Sequence, residues 1–154
     1  MNDAEEIYVR VGRDSNSIEK ATVVVLDVRF DLAILDIEGS GFKCAELDID
    51  SPAQLGKDII ILGFPFGSRM SDDVSEMSVS FTRGYISSLQ TRNGRKEALL
   101  DISAKAGNSG SPVIDIASGK VIGVLSGSIL GGVNNREEVN YMIPISYISE
   151  LLAD

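Results

Sequence analysis

The feature that most limits the fold of this chain is a succession of short apolar runs, each cut off within about a dozen residues by glycine, proline or other turn-forming residues. The first, EIYVRV (6–11), places Ile7, Val9 and Val11 on one face, the alternation of a half-buried strand. ATVVVLDV (21–28) and LAILDIEG (32–39) are separated only by Arg29-Phe30-Asp31, so they form a hairpin or one bent ribbon with Asp31 at its corner. KDIIILGFPFG (57–67) reads as a buried strand running into a Gly/Pro turn. EMSVSFTRGYISSLQT (76–91) reads as a long strand or strand pair, with Gly84 as a bulge or bend. EALLDI (97–102), PVID (112–115) and VIGVLSGSIL (121–130) continue the series. Strands at such short spacing predict a barrel or sandwich. Only the end departs from it. Pro144 opens ISYISELLAD, whose Ile145, Ile148, Leu151 and Leu152 keep helical spacing, which predicts a short terminal helix packed on the strands.

A chain of 154 residues can bury roughly 68–70% of its unfolded surface, so a normal core is available. Trp is absent and there are only five Phe and four Tyr, which leaves Val, Ile and Leu to build that core. Residues 1–56 are less glycine-rich than 57–154, and Ser40–Gly56 is the candidate link between two halves. The formal net charge of −9 argues against nucleic acid and anionic membranes as partners, since both require a basic footprint. No apolar run approaches the ~18 residues of a membrane span, and the first residues show neither part of a signal peptide. The single cysteine, Cys44, cannot form an internal disulfide and reads as a buried small apolar residue. GSPVIDIASGK lacks the Gly-Lys-Ser/Thr ending of a phosphate loop, which sets nucleotide binding aside. Neither a cofactor nor a metal is expected.

Chemistry concentrates in SAKAGNSGSPVID (103–115), a Gly-rich loop between two strands. A serine held there suits acyl transfer, because its Oγ can project while neighbouring backbone N–H groups point at a developing oxyanion. Taken alone, Gly-Asn-Ser-Gly-Ser-Pro is equally a turn made of the usual turn-forming residues. Context separates the two readings. AGNSGSPVID followed by GKVIGVLSG resembles the nucleophile loop and following strand of the trypsin-like serine peptidases, in the bacterial HtrA-like version where Asn precedes the serine. FDLAILDI resembles that family's aspartate segment, DIIILGFPFG its Gly-x-Pro-x-Gly turn, SFTRGYISSL the strand after it, and NYMIPISYISELL its closing strand and helix.

The resemblance implies an all-β, trypsin-like double β-barrel with a short C-terminal helix. Residues 1–50 would be the remaining strands of an incomplete N-terminal barrel, and 51–154 the C-terminal barrel. It implies Ser109 as nucleophile, the N–H groups of Gly107 and Ser109 as oxyanion hole, and Asp31 as the buried acid that orients the catalytic histidine. Ser103, Ala104, Lys105 and Ala106, with Ser126, Gly127 and Ser128, would line the substrate groove. No carboxylate is among them, so a small or aliphatic P1 side chain is expected rather than Lys or Arg. Two departures stand out. Ser111 replaces the more usual second glycine of the loop, and the chain contains no histidine. In the family that histidine sits just before the strand that here is 6–11, so its place falls at or before Met1, where the family also has further strands. A chain that starts late accounts for both absences. Lys105 as an alternative base would need a desolvated site to lower its pKa.

The expected function is therefore a serine endopeptidase acting on peptides or unfolded protein, with this chain inactive as it stands. The alternative is a non-catalytic pseudoprotease that binds peptides. Uncovered apolar strand edges near 7–11 and 21–28 predict a homodimer or strand-swapped oligomer, and no PDZ-like region is expected within these 154 residues.

Overall fold

The computed structural model of the chain describes residues 6–12, 17–65, 79–131 and 137–153. Phe66 and Gly67 of the turn after the fourth run, and the first residues of the run at 76–91, lie outside the described residues. Contacts divide the chain into two compact units, Met1–Cys44 and Ala45–Asp154.

The first unit is a three-stranded antiparallel sheet in the order β1-β2-β3, from β1 (Ile7–Arg10), β2 (Ile18–Asp27) and β3 (Leu32–Ile37). Pairing runs from Ile7↔Ala21 and Ala21↔Ile37 to the corner pair Asp27↔Leu32, with a register shift between Val23 and Val25. The expected hairpin about Asp31 is present. Asp27 stabilises its corner by accepting hydrogen bonds from the backbone N–H groups of Arg29 (2.7 Å) and Phe30 (3.3 Å). The layer is thin, and Ala21 is the one buried apolar residue among its described residues. Tyr8, Val24, Leu26 and Val28 are exposed.

The second unit closes into a six-stranded barrel in the order β4-β5-β6-β9-β8-β7. Its strands are β4 (Asp58–Gly63), β5 (Ser80–Arg92), β6 (Arg95–Asp101), β7 (Pro112–Asp115), β8 (Val121–Gly131) and β9 (Glu137–Pro144). Strand periodicity fills the interior: Ile59, Ile61 and Gly63 of β4 point inward while Asp58, Ile60 and Leu62 do not. Ile59 and Ile61 join Ile86, Ala98, Leu100, Val113, Leu125 and Met142 in one core. Each large side chain buried there contributes about 1.5–3 kcal/mol. The chain enters this unit through Glu46–Asp48, whose backbone brackets Val121 with two hydrogen bonds of 2.8 Å.

Four local expectations are corrected. Gly84 is not the bulge: it pairs regularly with Ile59, and the register shift of β5 lies between Ile86 and Ser88. Glycine is needed at 84 because a Cβ there would run into the carbonyl of Asp101. Pro144 does not open the helix but ends β9 opposite Gly123, at the end of the ladder where its missing N–H costs little. The helix, α1 (Tyr147–Leu151), is shorter than its spacing predicts. It buries Tyr147 and Leu151 and leaves Leu152 exposed. Tyr147 docks it on β6 by accepting a 2.8 Å hydrogen bond from the Lys96 N–H. Finally, Cys44 is exposed rather than buried, because it lies in a connecting stretch, 38–47, in which every residue is exposed and none packs into a core.

One charged cluster is built into the barrel wall. Glu97, whose side chain is fully buried, accepts hydrogen bonds from Arg92 (2.9 Å), Arg95 and Gln90 (3.2 Å). Both guanidinium groups lie over the Tyr141 ring, at 4.8 and 5.9 Å from its centre. Burial alone would push the Glu97 carboxyl up, but its hydrogen bonds outweigh this and hold it below the usual 4.5. Asp115 is likewise raised by burial and lowered, on balance, by Lys57, the Ala117 N–H and Ser118. Because the native carboxylates are depressed, the unfolded chain takes up protons first as pH falls. Stability is therefore full above about pH 4.5 and declines as pH drops through the native values. Glu97→Gln should cost about 3 kcal/mol at pH 7 by leaving two arginines without their carboxylate, and should flatten the acid limb. Urea denaturation from pH 7 to 3 measures both.

Candidate active site

The loop between β6 and β7 crosses the end of the barrel, and the sequence explains how it is held. Gly107 and Gly110 adopt φ of 94° and 89°, the left-handed region that glycine reaches without strain, and they flank Asn108 and Ser109. The Asn108 N–H donates to the Lys105 carbonyl at 3.1 Å, and the Ser111 N–H donates to the Asn108 carbonyl at 3.0 Å. These turns are tied to β8 at one residue. The Gly110 N–H donates to the Leu125 carbonyl (2.6 Å), and the Leu125 N–H donates to the Ser111 carbonyl (2.9 Å). Asn108 and Ser111 are drawn inward and buried, whereas Ser109 between them is exposed. No described residue accepts a hydrogen bond from the N–H of Gly107 or Ser109, so both donors remain available beside the serine.

The structure thus places Ser109 and Gly107 on the same loop as Ser103, Lys105 and Ala106, and Ser126, Gly127 and Ser128 on β8 just past the Leu125 tie. Ala104 is in the same loop but is buried with the core, anchoring the loop rather than facing solvent. Ser126, just past the clamp at Leu125, donates through Oγ to the Tyr141 hydroxyl at 3.2 Å. Lys105 is exposed, so it lacks the desolvation that a lysine base requires. Asp31 belongs to the other unit. It sits at the β2–β3 corner with φ of 55°, a conformation Asp tolerates better than most residues, and it is exposed rather than buried. A corner residue of a three-stranded sheet has no second layer of its own unit to cover it.

Two contributors escaped the reading of the sequence. Gly63, at the inner end of β4, lies directly beneath the loop. A Cβ at 63 would collide with the Ser111 hydroxyl and come within 2.7 Å of Asn108 Oδ1. Its signal was present in the sequence, as a glycine closing an apolar run just where the strand must end. Asn140 on β9 is the other: buried, it donates from Nδ2 to the Ile102 carbonyl at 2.9 Å, where the loop leaves β6.

A closed antiparallel barrel with a glycine-flanked serine clamped across one end defines a class, the β-barrel domains of serine peptidases. Comparison with known proteins narrows it: the trypsin-like peptidase domain matches residues 1–124, and the chain belongs to that family. A probable periplasmic serine endoprotease, DegP-like, from Pseudomonas fluorescens is 29% identical over 153 residues, covering 93% of this chain and 28% of that protein. Serine protease Do-like HtrB from Bacillus subtilis is 30% identical over 138 residues, covering 87% of this chain and 29% of that protein. The solved serine endoprotease from Yersinia pestis superposes with a TM-score of 0.77 at 24% identity, over 99% of this chain and 49% of that one. The fold is therefore the trypsin-like barrel, complete in the second unit and partial in the first. The chain spans less than a third of the length of these curated HtrA-type relatives.

Gly63→Ala should distort the loop from below. We expect a loss of about 1–3 kcal/mol in urea denaturation, with the largest increase in amide hydrogen exchange at residues 107–111.

Proposed function

We propose that the protein to which this chain belongs is a serine endopeptidase that hydrolyses peptide bonds through an acyl-enzyme at Ser109. The observation that carries this reading is the pair of uncommitted N–H donors, Gly107 and Ser109, beside an exposed serine in a rigidly clamped loop. In the proposed mechanism Ser109 Oγ attacks the scissile carbonyl while a histidine takes its proton. The oxyanion forms against the two N–H groups, and the protonated histidine then delivers its proton to the leaving amine. Asp31 holds that histidine in the required tautomer. Water enters as the second nucleophile and releases the acyl product. Ser103, Lys105 and Ala106 on one side and Ser126–Ser128 on the other receive the acyl-side residues of an extended peptide or unfolded protein.

Since the chain has no histidine, Ser109 lacks the base that would make an alcohol nucleophilic at neutral pH, and the 154 residues alone are inactive. Casein hydrolysis tests the proposal directly. The chain by itself should show none, and Lys105→Ala should change nothing. Joined in frame behind an N-terminal segment that supplies the missing histidine, it should cleave casein, and Ser109→Ala should abolish that cleavage. A chimera that is folded but inert would favour the second reading, a non-catalytic peptide-binding module, which rests on the same missing histidine.

The exposed apolar residues of the first unit, Tyr8, Val24, Leu26 and Val28, further support self-association through β1 or β2. Light scattering should then give a mass that rises with concentration toward a dimer or beyond, and a monomer at all concentrations would exclude it.

A further inference from the structure

Asn140 is the one buried polar residue of β9 among the described residues, and its position is unusual for an amide. Its direct cross-strand neighbours are Leu100 on β6 and Ser128 on β8, so the three share a face. Leu100 lies in the core and Ser128 is exposed, which puts Asn140 at the mouth of the barrel, where the apolar interior gives way to solvent. From there Asn140 reaches both walls of the groove invoked above. Ser128 closes one wall. The Ile102 carbonyl, which accepts the Asn140 Nδ2–H at 2.9 Å, begins the other immediately before Ser103. That bond uses one side of the amide and fixes its orientation, since the opposite flip would set oxygen against oxygen. No described residue donates to Oδ1. Among the described residues the buried side-chain acceptor without a partner is Asn108 Oδ1, so Asn140 Oδ1 keeps contact with solvent at the mouth, where an arriving donor can reach it.

We propose that Asn140 is a specificity-determining residue, whose Oδ1 forms the floor of the P1 pocket and accepts a hydrogen bond from the substrate. This rests on the peptidase reading of the groove and replaces the aliphatic P1 preference with a different one. The favoured side chain is short, uncharged and carries a donor: the carboxamide of asparagine or the hydroxyl of serine or threonine. Leucine in that pocket would desolvate Oδ1 and return nothing, and a carboxylate would face an acceptor.

Binding can be read on the chain as it exists, with no turnover required. The probes are dansyl-labelled tetrapeptides Ala-Ala-Ala-X with a free carboxylate, where X is Asn or its near-isostere Leu, titrated by fluorescence anisotropy. The expected result is that the Asn peptide binds about tenfold more tightly than the Leu peptide. Asn140→Leu should cancel or reverse that ratio, while Ser149→Ala, on the exposed side of α1, should keep it. Equal binding, or tighter binding of the Leu peptide, by the unmodified chain overturns the assignment of Asn140 and leaves the peptidase reading standing. No binding of either peptide by a chain shown to be folded by circular dichroism overturns both. The ranking in the unmodified chain decides the matter even if Asn140→Leu fails to fold.

Discussion

The second unit depends on closure. Six strands whose backbone groups pair around a full circle leave no edge, and the side chains directed inward by the two-residue period have nowhere to go but the common core. The interior is small and aliphatic, as a chain without tryptophan requires, and it is finished by glycines where backbones come close: Gly84 against the Asp101 carbonyl and Gly63 beneath the serine loop. Rigidity at the site follows from this closure. The loop is held to β8 through both polar groups of Leu125, whose side chain is itself part of the core, so displacing the loop means disturbing the packing.

The first unit shows the same chemistry without closure. Its strands alternate and pair as their sequences imply, yet a three-stranded sheet has two edges and two faces and too few side chains to cover either. Its valines and leucines are consequently left in contact with water, while similar residues in the barrel are buried. This exposure accords with the partial barrel that the comparison of folds assigns to the first unit.

Electrostatics has a supporting part. The buried carboxylate of Glu97 is tolerated because three donors converge on it, and its arginines cover the Tyr141 ring on the outside of the wall. Tyr141 in turn receives the hydroxyl of Ser126. A chain of contacts therefore runs from β5 and β6 through β9 to the strand that flanks the serine loop, so groups that are distant in sequence share one rigid face.

Much of this was legible in the sequence. The alternating runs identified the strands, the three-residue gap around Asp31 identified the hairpin, and Gly-Asn-Ser-Gly-Ser-Pro identified the loop, because these signals come from local backbone geometry and side-chain period. What failed locally failed for a tertiary reason: Gly84 was needed by a neighbouring strand rather than by its own, Pro144 belonged to a ladder end, and Cys44 had no core to enter. Only the folded chain could show that Gly63 supports the serine loop, that Leu125 clamps it, or that Asn140 links Ile102 to the strand bearing Ser128. Those relations join residues tens of positions apart, and it is barrel closure and register, not periodicity, that decide which of them meet.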